Sequence, residues 1–143
     1  MNMTKLIILV VVFTLNGCAS GGSTAPAAPA AAPGQCDVVG TWVGQVPSGM
    51  LMGRVLTMVF MENNTAQGTC QNITLNSQWQ RNGNQVEVID VSATPAFASC
   101  GPELVGRYTL EYSADCQSVT AISGEDQCTH RRQALHNFRA ARQ

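Results

Sequence analysis

The sequence predicts an all-β fold, a small antiparallel meander closed into a roughly eight-stranded barrel. Three observations predict it. Residues alternate with a period of two: in "ITLNSQWQ", Ile73, Leu75, Ser77 and Trp79 share one face and Thr74, Asn76, Gln78 and Gln80 the other. Such alternation marks strands buried on one side only. Turn-forming clusters separate these runs, at Pro47-Ser48-Gly49, Asn63-Asn64, Asn82-Gly83-Asn84, Ala114-Asp115 and Ser123-Gly124. Among them Asn82-Gly83, between "SQWQR" and "QVEVIDV", is the strongest hairpin signal, because both residue types accept the positive φ of a type I′ turn.

Eight strands follow in order: 38–46, 54–62, 65–70, 73–81, 84–91, 104–113, 116–123 and 133–140. In the second, Leu56, Met58 and Phe60 oppose Thr57, Val59 and Met61. In the sixth, Tyr108, Leu110 and Tyr112 oppose Thr109, Glu111 and Ser113. The last element has two readings, since Leu135, Phe138 and Ala141 have helical spacing and a short helix competes with a final strand. Short, evenly spaced strands joined by tight turns suit a meander, and closure removes its exposed edges.

The barrel occupies residues 36–143 and is preceded by two segments of different character. Residues 1–17 carry a positive start at Lys5 and the apolar run "LIILVVVFTL", the pattern of a secretory signal peptide. A membrane-spanning helix needs about 20 such residues. Leu15-Asn16-Gly17-Cys18 resembles the lipobox of bacterial lipoproteins. That resemblance implies cleavage before Cys18 and lipidation of its thiol, with palmitate among the acyl chains. Ala19 in place of Asp implies sorting to the outer membrane, with the domain in the periplasm or at the cell surface. Residues 18–35 form a tether of Ala, Gly, Ser, Thr, Gln and Pro after Cys18; without charge or large apolar groups it cannot offset its ordering entropy. Its prolines favour an extended chain of ~3.1 Å per residue.

Charge excludes little. The formal net charge is −1, but Arg131, Arg132, Arg139 and Arg142 cluster at the C-terminal end while every acidic residue precedes position 127. A basic end attracts polyanions, yet pairing with the domain's own acids is the commoner outcome, and no nucleic-acid partner is expected. Beyond Cys18, five cysteines remain: Cys36, Cys70, Cys100, Cys116 and Cys128. In a small secreted domain they read as disulfides, with one thiol left over or paired between molecules. Loops of a meander alternate between two ends, which puts Cys36 and Cys116 at one end and Cys70, Cys100 and Cys128 at the other. A Cys36–Cys116 bridge is therefore expected, with a second bridge among the other three. Zinc is disfavoured: there is no CxxC, and Cys128-x-His130 is the only close pairing. No metal or cofactor is expected.

Gly40-Thr41-Trp42 at the start of the first strand resembles the G-x-W signature of lipocalins, avidins and other calycin barrels. The resemblance implies that Trp42 plugs one end and that an Arg of the last strand lies across it, Arg139 first and Arg132 second. Within the calycins, the order of G-x-W, a cysteine near strand three, a Trp in "SQWQRNGNQVEVID" and a Tyr strand is loosely similar to the bacterial metalloprotease-inhibitor family over 38–112. That family has one disulfide and a free inhibitory N-terminus. Here there are more cysteines and the N-terminus is tied to lipid, so no inhibitory residue is carried over.

Catalytic patterns are scarce. His130 and His136 both lie in the basic C-terminal stretch, and Glu125 and Asp126, adjacent in an extended chain, point apart and read as polar loop residues. No P-loop, G-x-S-x-G or H-E-x-x-H occurs. The expected function is non-enzymatic: a monomeric, membrane-anchored module binding a small apolar ligand or a protein partner. Met58, Phe60, Trp79, Tyr108 and Tyr112 are the candidate lining residues, although a barrel this small can also be filled by its own side chains. The alternatives are an inhibitor of a secreted hydrolase, or a structural envelope protein. The loops "PSGMLMG" (47–53) and "SATPAFASCGPE" (92–103) discriminate: exposed, they suit a protein partner; folded over the barrel mouth, they form a lid.

Overall fold

The computed structural model describes Ala32 and residues 35–143. The signal peptide, Cys18 and nearly all of the tether lie outside the described residues. Eight antiparallel strands run in chain order around a closed barrel: β1 (Gly40–Gln45), β2 (Val55–Phe60), β3 (Thr65–Cys70), β4 (Ile73–Asn82), β5 (Gln85–Thr94), β6 (Val105–Tyr112), β7 (Ser118–Asp126) and β8 (Phe138–Arg142). Each strand pairs with the next, and β8 returns to β1 with Trp42 opposite Arg142 and Gly44 opposite Ala140. The meander expected from the alternation is thus the observed fold. A 3-10 turn (Ala96–Ala98) lies between β5 and β6, and a short helix α1 (Thr129–Leu135) between β7 and β8.

The last element needs correction. A strand over 133–140 is replaced by a helix that stops at Leu135 and a strand that starts at Phe138. Asn137 separates them with a φ of 60°, the left-handed conformation that ends helices and that Asn tolerates better than most side chains. Of the residues that carried the helical spacing, Leu135 ends α1 while Phe138 and Ala141 lie on β8.

Strand direction sorts the loops into two ends. At one end lie the start of the domain, the turns at 61–64, 83–84 and 113–117, and the C-terminus. At the other, the mouth, lie 46–54, 71–72, 95–104 and 127–137. The disulfides follow: Cys36–Cys116 ties the closed end across a separation of 80 residues, Cys100–Cys128 ties two mouth segments, and Cys70 is a free, buried thiol.

The closed end is plugged by aromatic residues. Trp42 donates its indole N–H to the Val38 carbonyl at 2.8 Å and packs on Tyr112 with ring centroids 5.8 Å apart. The guanidinium across Trp42 belongs to Arg142, 4.7 Å from the ring centroid, and not to Arg139 or Arg132. The phase of β8 explains this correction. Phe138 and Ala140 are buried and Arg139 is exposed, so Arg142 is the arginine in phase with the interior, and it faces Trp42 across the seam. Arg132 lies on α1 at the opposite end.

The seam also requires a glycine. A Cβ at Gly44 would stand 2.0 Å from the Arg139 carbonyl oxygen, a backbone atom with nowhere to go. Gly44→Ala should therefore destabilise the domain by about 1–3 kcal/mol or more, as overpacking does. Urea unfolding checks this; an unchanged midpoint would contradict close contact between β1 and β8.

Candidate functional site

The interior divides into a filled half and a hollow half, and the division follows side-chain size. Towards the closed end the inward positions carry Trp42, Phe60, Trp79, Tyr108 and Tyr112. Phe60 meets Trp79 edge-on with centroids 5.6 Å apart, and the Trp79 N–H lies 3.0 Å from the Thr65 carbonyl oxygen. Only a void of about 50 Å³ remains there, lined in part by Met58, Phe60, Tyr108 and Tyr112. Towards the mouth the inward positions of β3 and β4 include the small residues Gly68, Cys70 and Ser77, beside the aliphatic Ile73 and Leu75. A cavity of about 290 Å³ opens beside them, near the lower end of the range for small-molecule sites.

Of the five candidate lining residues, Met58 alone lines this larger cavity; Phe60, Tyr108 and Tyr112 belong to the filled half, and Trp79 packs in the core with Val38, Ala66, Val86 and Val88. The walls are Leu56, Leu75, Val88, Cys70 and their neighbours, with Ala134 and Leu135 from α1. The signal that could have found them is the group of small inward residues in β3 and β4, set against the aromatic residues elsewhere. Burial pushes the Cys70 thiol up from its ordinary pKa, with the charge of Arg54 opposing, so it behaves here as a small apolar wall group.

The two long loops border the cavity. Met50 and Leu51 from 47–53, and Phe97 and Ala98 from 92–103, contribute to its lining. Both loops are fastened to the helical segment: Ser48 Oγ donates to the Gln133 carbonyl at 2.7 Å, His130 Nε2 donates to the Ala98 carbonyl at 3.0 Å, and Cys100 is bonded to Cys128. The rim keeps apolar groups in solvent, with Met50 89%, Met52 67% and Phe97 73% exposed.

Behind the mouth lies a buried ionic cluster that the sequence reading missed. Arg131 on α1 is 3% exposed, Asp90 on β5 is 0% and Asp126 at the end of β7 is 5%. Arg131 grips Asp126 through two 2.9 Å hydrogen bonds, from Nε and Nη2, and its Nη1 lies 2.9 Å from Asp90 Oδ1. Nη2 also donates to the Leu104 carbonyl at 2.7 Å. The carboxylates in turn accept backbone N–H groups on either side of the disulfide, Asp90 from Cys100 and Asp126 from Cys128, each at 2.9 Å. The Tyr108 hydroxyl donates to Asp126. Asp126 is therefore a buried ion-pair residue and not a polar loop residue; Glu125 beside it does point outward, to Arg107. Asp90 had a signal, being in phase with inward Val86 and Val88, but its partner comes from a distant segment.

Glycine again makes room. A Cβ at Gly106 would come within 2.6 Å of Asp126 Oδ2 and 2.9 Å of Arg131 Nε.

Charge in this cluster is mutually sustained. Burial works against the charged form of Arg131, but the carboxylates of Asp126 and Asp90 outweigh it and hold the guanidinium protonated. Burial likewise raises Asp126, yet the hydrogen bonds from Arg131, Tyr108 and the Cys128 N–H outweigh it and leave its pKa below the ordinary value. The Tyr108 phenol is pushed well up by burial and then by the hydrogen bond and charge of Asp126, so it stays a donor.

Two other groupings bear on chemistry. Cys100, Cys128 and His130 converge, with His130 Nε2 at 3.2 and 3.6 Å from the two sulfurs. The sulfurs are bonded to each other, however, and a metal ligand must be a thiolate. Ser123 Oγ lies 2.7 Å from His136 Nδ1 at the surface. Among the described residues no carboxylate bonds that imidazole, and neither residue lines the cavity. No protein-family model, curated protein or solved structure matches this chain.

The depressed pKa of Asp126 sets a pH dependence. An aspartate whose folded pKa lies below its unfolded value of about 3.9 contributes stability that is present above that value and lost as pH falls through the folded one. Urea midpoints should therefore fall as pH drops below about 4, and Asp126→Asn should be less stable at pH 7 with a flatter decline on acidification. Parallel declines for both proteins would contradict the ionised pair.

Proposed function

We propose that this protein is a non-enzymatic, lipid-anchored lipoprotein of the outer membrane whose periplasmic or surface-facing barrel holds a small apolar molecule at its mouth. The observation that carries this reading is the apolar cavity of about 290 Å³ beneath the 47–53 loop, the 92–103 loop and α1. It pairs an apolar wall with a few polar groups, Ser48, Ser77, His130 and Arg131, the composition that small-molecule sites favour. The lipobox-like Leu15-Asn16-Gly17-Cys18 and the G-x-W start at Gly40-Thr41-Trp42 support the anchoring and the calycin-like character. The scarcity of catalytic patterns supports a binding role, and a monomer suits a site contained within one barrel.

A second reading has its own observation. Met50, Met52 and Phe97 project from the rim, and exposed apolar groups of this size suit a protein partner. In that case the domain docks on a protein such as a secreted hydrolase, with the loose likeness to metalloprotease inhibitors as its only pointer to which kind. The cavity favours the first reading, because a docking rim alone has no need of a hollow interior.

Native and denaturing mass spectrometry of the chain secreted to the periplasm separates the two. A native mass above the denatured one is expected, the difference being the retained ligand. Equal masses, with no uptake of an added apolar dye such as Nile red, would overturn the ligand reading.

A further inference from the structure

The cavity has one polar feature that selects among apolar molecules, and the following inference rests on the ligand-binding reading above. Arg131 lines the cavity and is 3% exposed. A guanidinium carries five N–H donors in a fixed planar fork. Nε is used by Asp126, and Nη2 by Asp126 and the Leu104 carbonyl. Nη1 has two hydrogens. Asp90 Oδ1 at 2.9 Å forms an ion pair with it, and among the described residues at least one Nη1 hydrogen is left without an acceptor. A buried donor without an acceptor is costly, and an acceptor oxygen brought by a ligand would relieve that cost.

The charge of the surroundings decides which acceptor. Two carboxylates, Asp90 and Asp126, face one guanidinium, so the cluster carries excess negative charge in a poorly solvated interior. An anionic head would gain Nη1 but would itself lose its hydration and become a third negative group around one guanidinium. A cationic head would meet the guanidinium first, since Arg131 and not the aspartates lines the cavity. A neutral carbonyl, ester or hydroxyl oxygen accepts the hydrogen bond and opposes neither charge. We infer that the site takes an uncharged apolar molecule bearing a hydrogen-bond acceptor, inserted acceptor-first so that its oxygen meets Arg131 Nη1 and its hydrocarbon lies against Leu56, Cys70 and Leu75. The apolar rim of Met50 and Phe97 is then the side by which the hydrocarbon enters.

Four probes of matched chain length test this: decane, methyl nonanoate, decanoate and decylammonium, each competing with Nile red for the full chain carrying Cys18→Ser, so that no acyl chain of its own competes. The ester should displace the dye at least about tenfold better than the alkane, as a hydrogen bond to a charged donor implies. Both ions should be weaker than the ester. Guanidinium nitrogen NMR should show the Arg131 signal shifting with the ester and not with the alkane. Equal displacement by ester and alkane would overturn the inference and leave the ligand reading standing. Tightest binding by decanoate or decylammonium would overturn it likewise. Failure of Nile red itself to bind would remove the ligand reading and this inference with it.

Discussion

The mouth of this barrel depends on one buried arginine. Arg131 reaches from α1 into the interior and bridges Asp90 on β5 and Asp126 on β7, and each carboxylate in turn fixes the backbone N–H of one half of the Cys100–Cys128 disulfide. One side chain thus sets the position of the helix, of the segment before β6 and of the end of β7. Burying such a cluster has a desolvation cost that a purely apolar plug would avoid. What the ion cluster supplies instead is a fixed frame around a space left unfilled. An apolar plug stabilises by filling space, whereas an ionic frame can hold a hollow open.

The two ends solve different problems. The closed end is dense: Tyr112 packs at a tilt on Trp42, Arg142 lies over the Trp42 ring, and the Cys36–Cys116 bridge fastens the incoming chain. Its stability comes from area and packing. The mouth has smaller residues, a free thiol, exposed methionines and a phenylalanine, and it relies on directed polar contacts and a disulfide. Such a division suits a module whose shell must stay closed while one end admits a molecule.

The sequence made the shell readable and the contents much less so. Alternation and turn residues carried the eight strands, because a half-buried strand must repeat with period two whatever it packs against. Loop alternation then placed Cys36 with Cys116. The arginine over Trp42 was readable as a residue type but not by position, since its identity depends on whether β8 begins at 133 or 138, and a helix intervenes. The cavity depends on the small inward residues Gly68, Cys70 and Ser77 meeting loops from elsewhere in the chain, a matter of tertiary placement. The ionic cluster was hidden for the same reason. Asp90 shares the inward phase of Val86 and Val88 but has no partner near it in sequence, and Arg131 looks like one member of a basic surface run until the fold turns it inward.

Hydrogen exchange of Arg131→Met beside the parent chain tests the dependence of the mouth on Arg131 most directly. Loss of protection is expected in 95–104 and in 127–137, with the β1–β8 seam and the turn at 113–117 retaining theirs. Uniform loss across the barrel, or unchanged protection at the mouth, would contradict the claim that one buried arginine holds the open end.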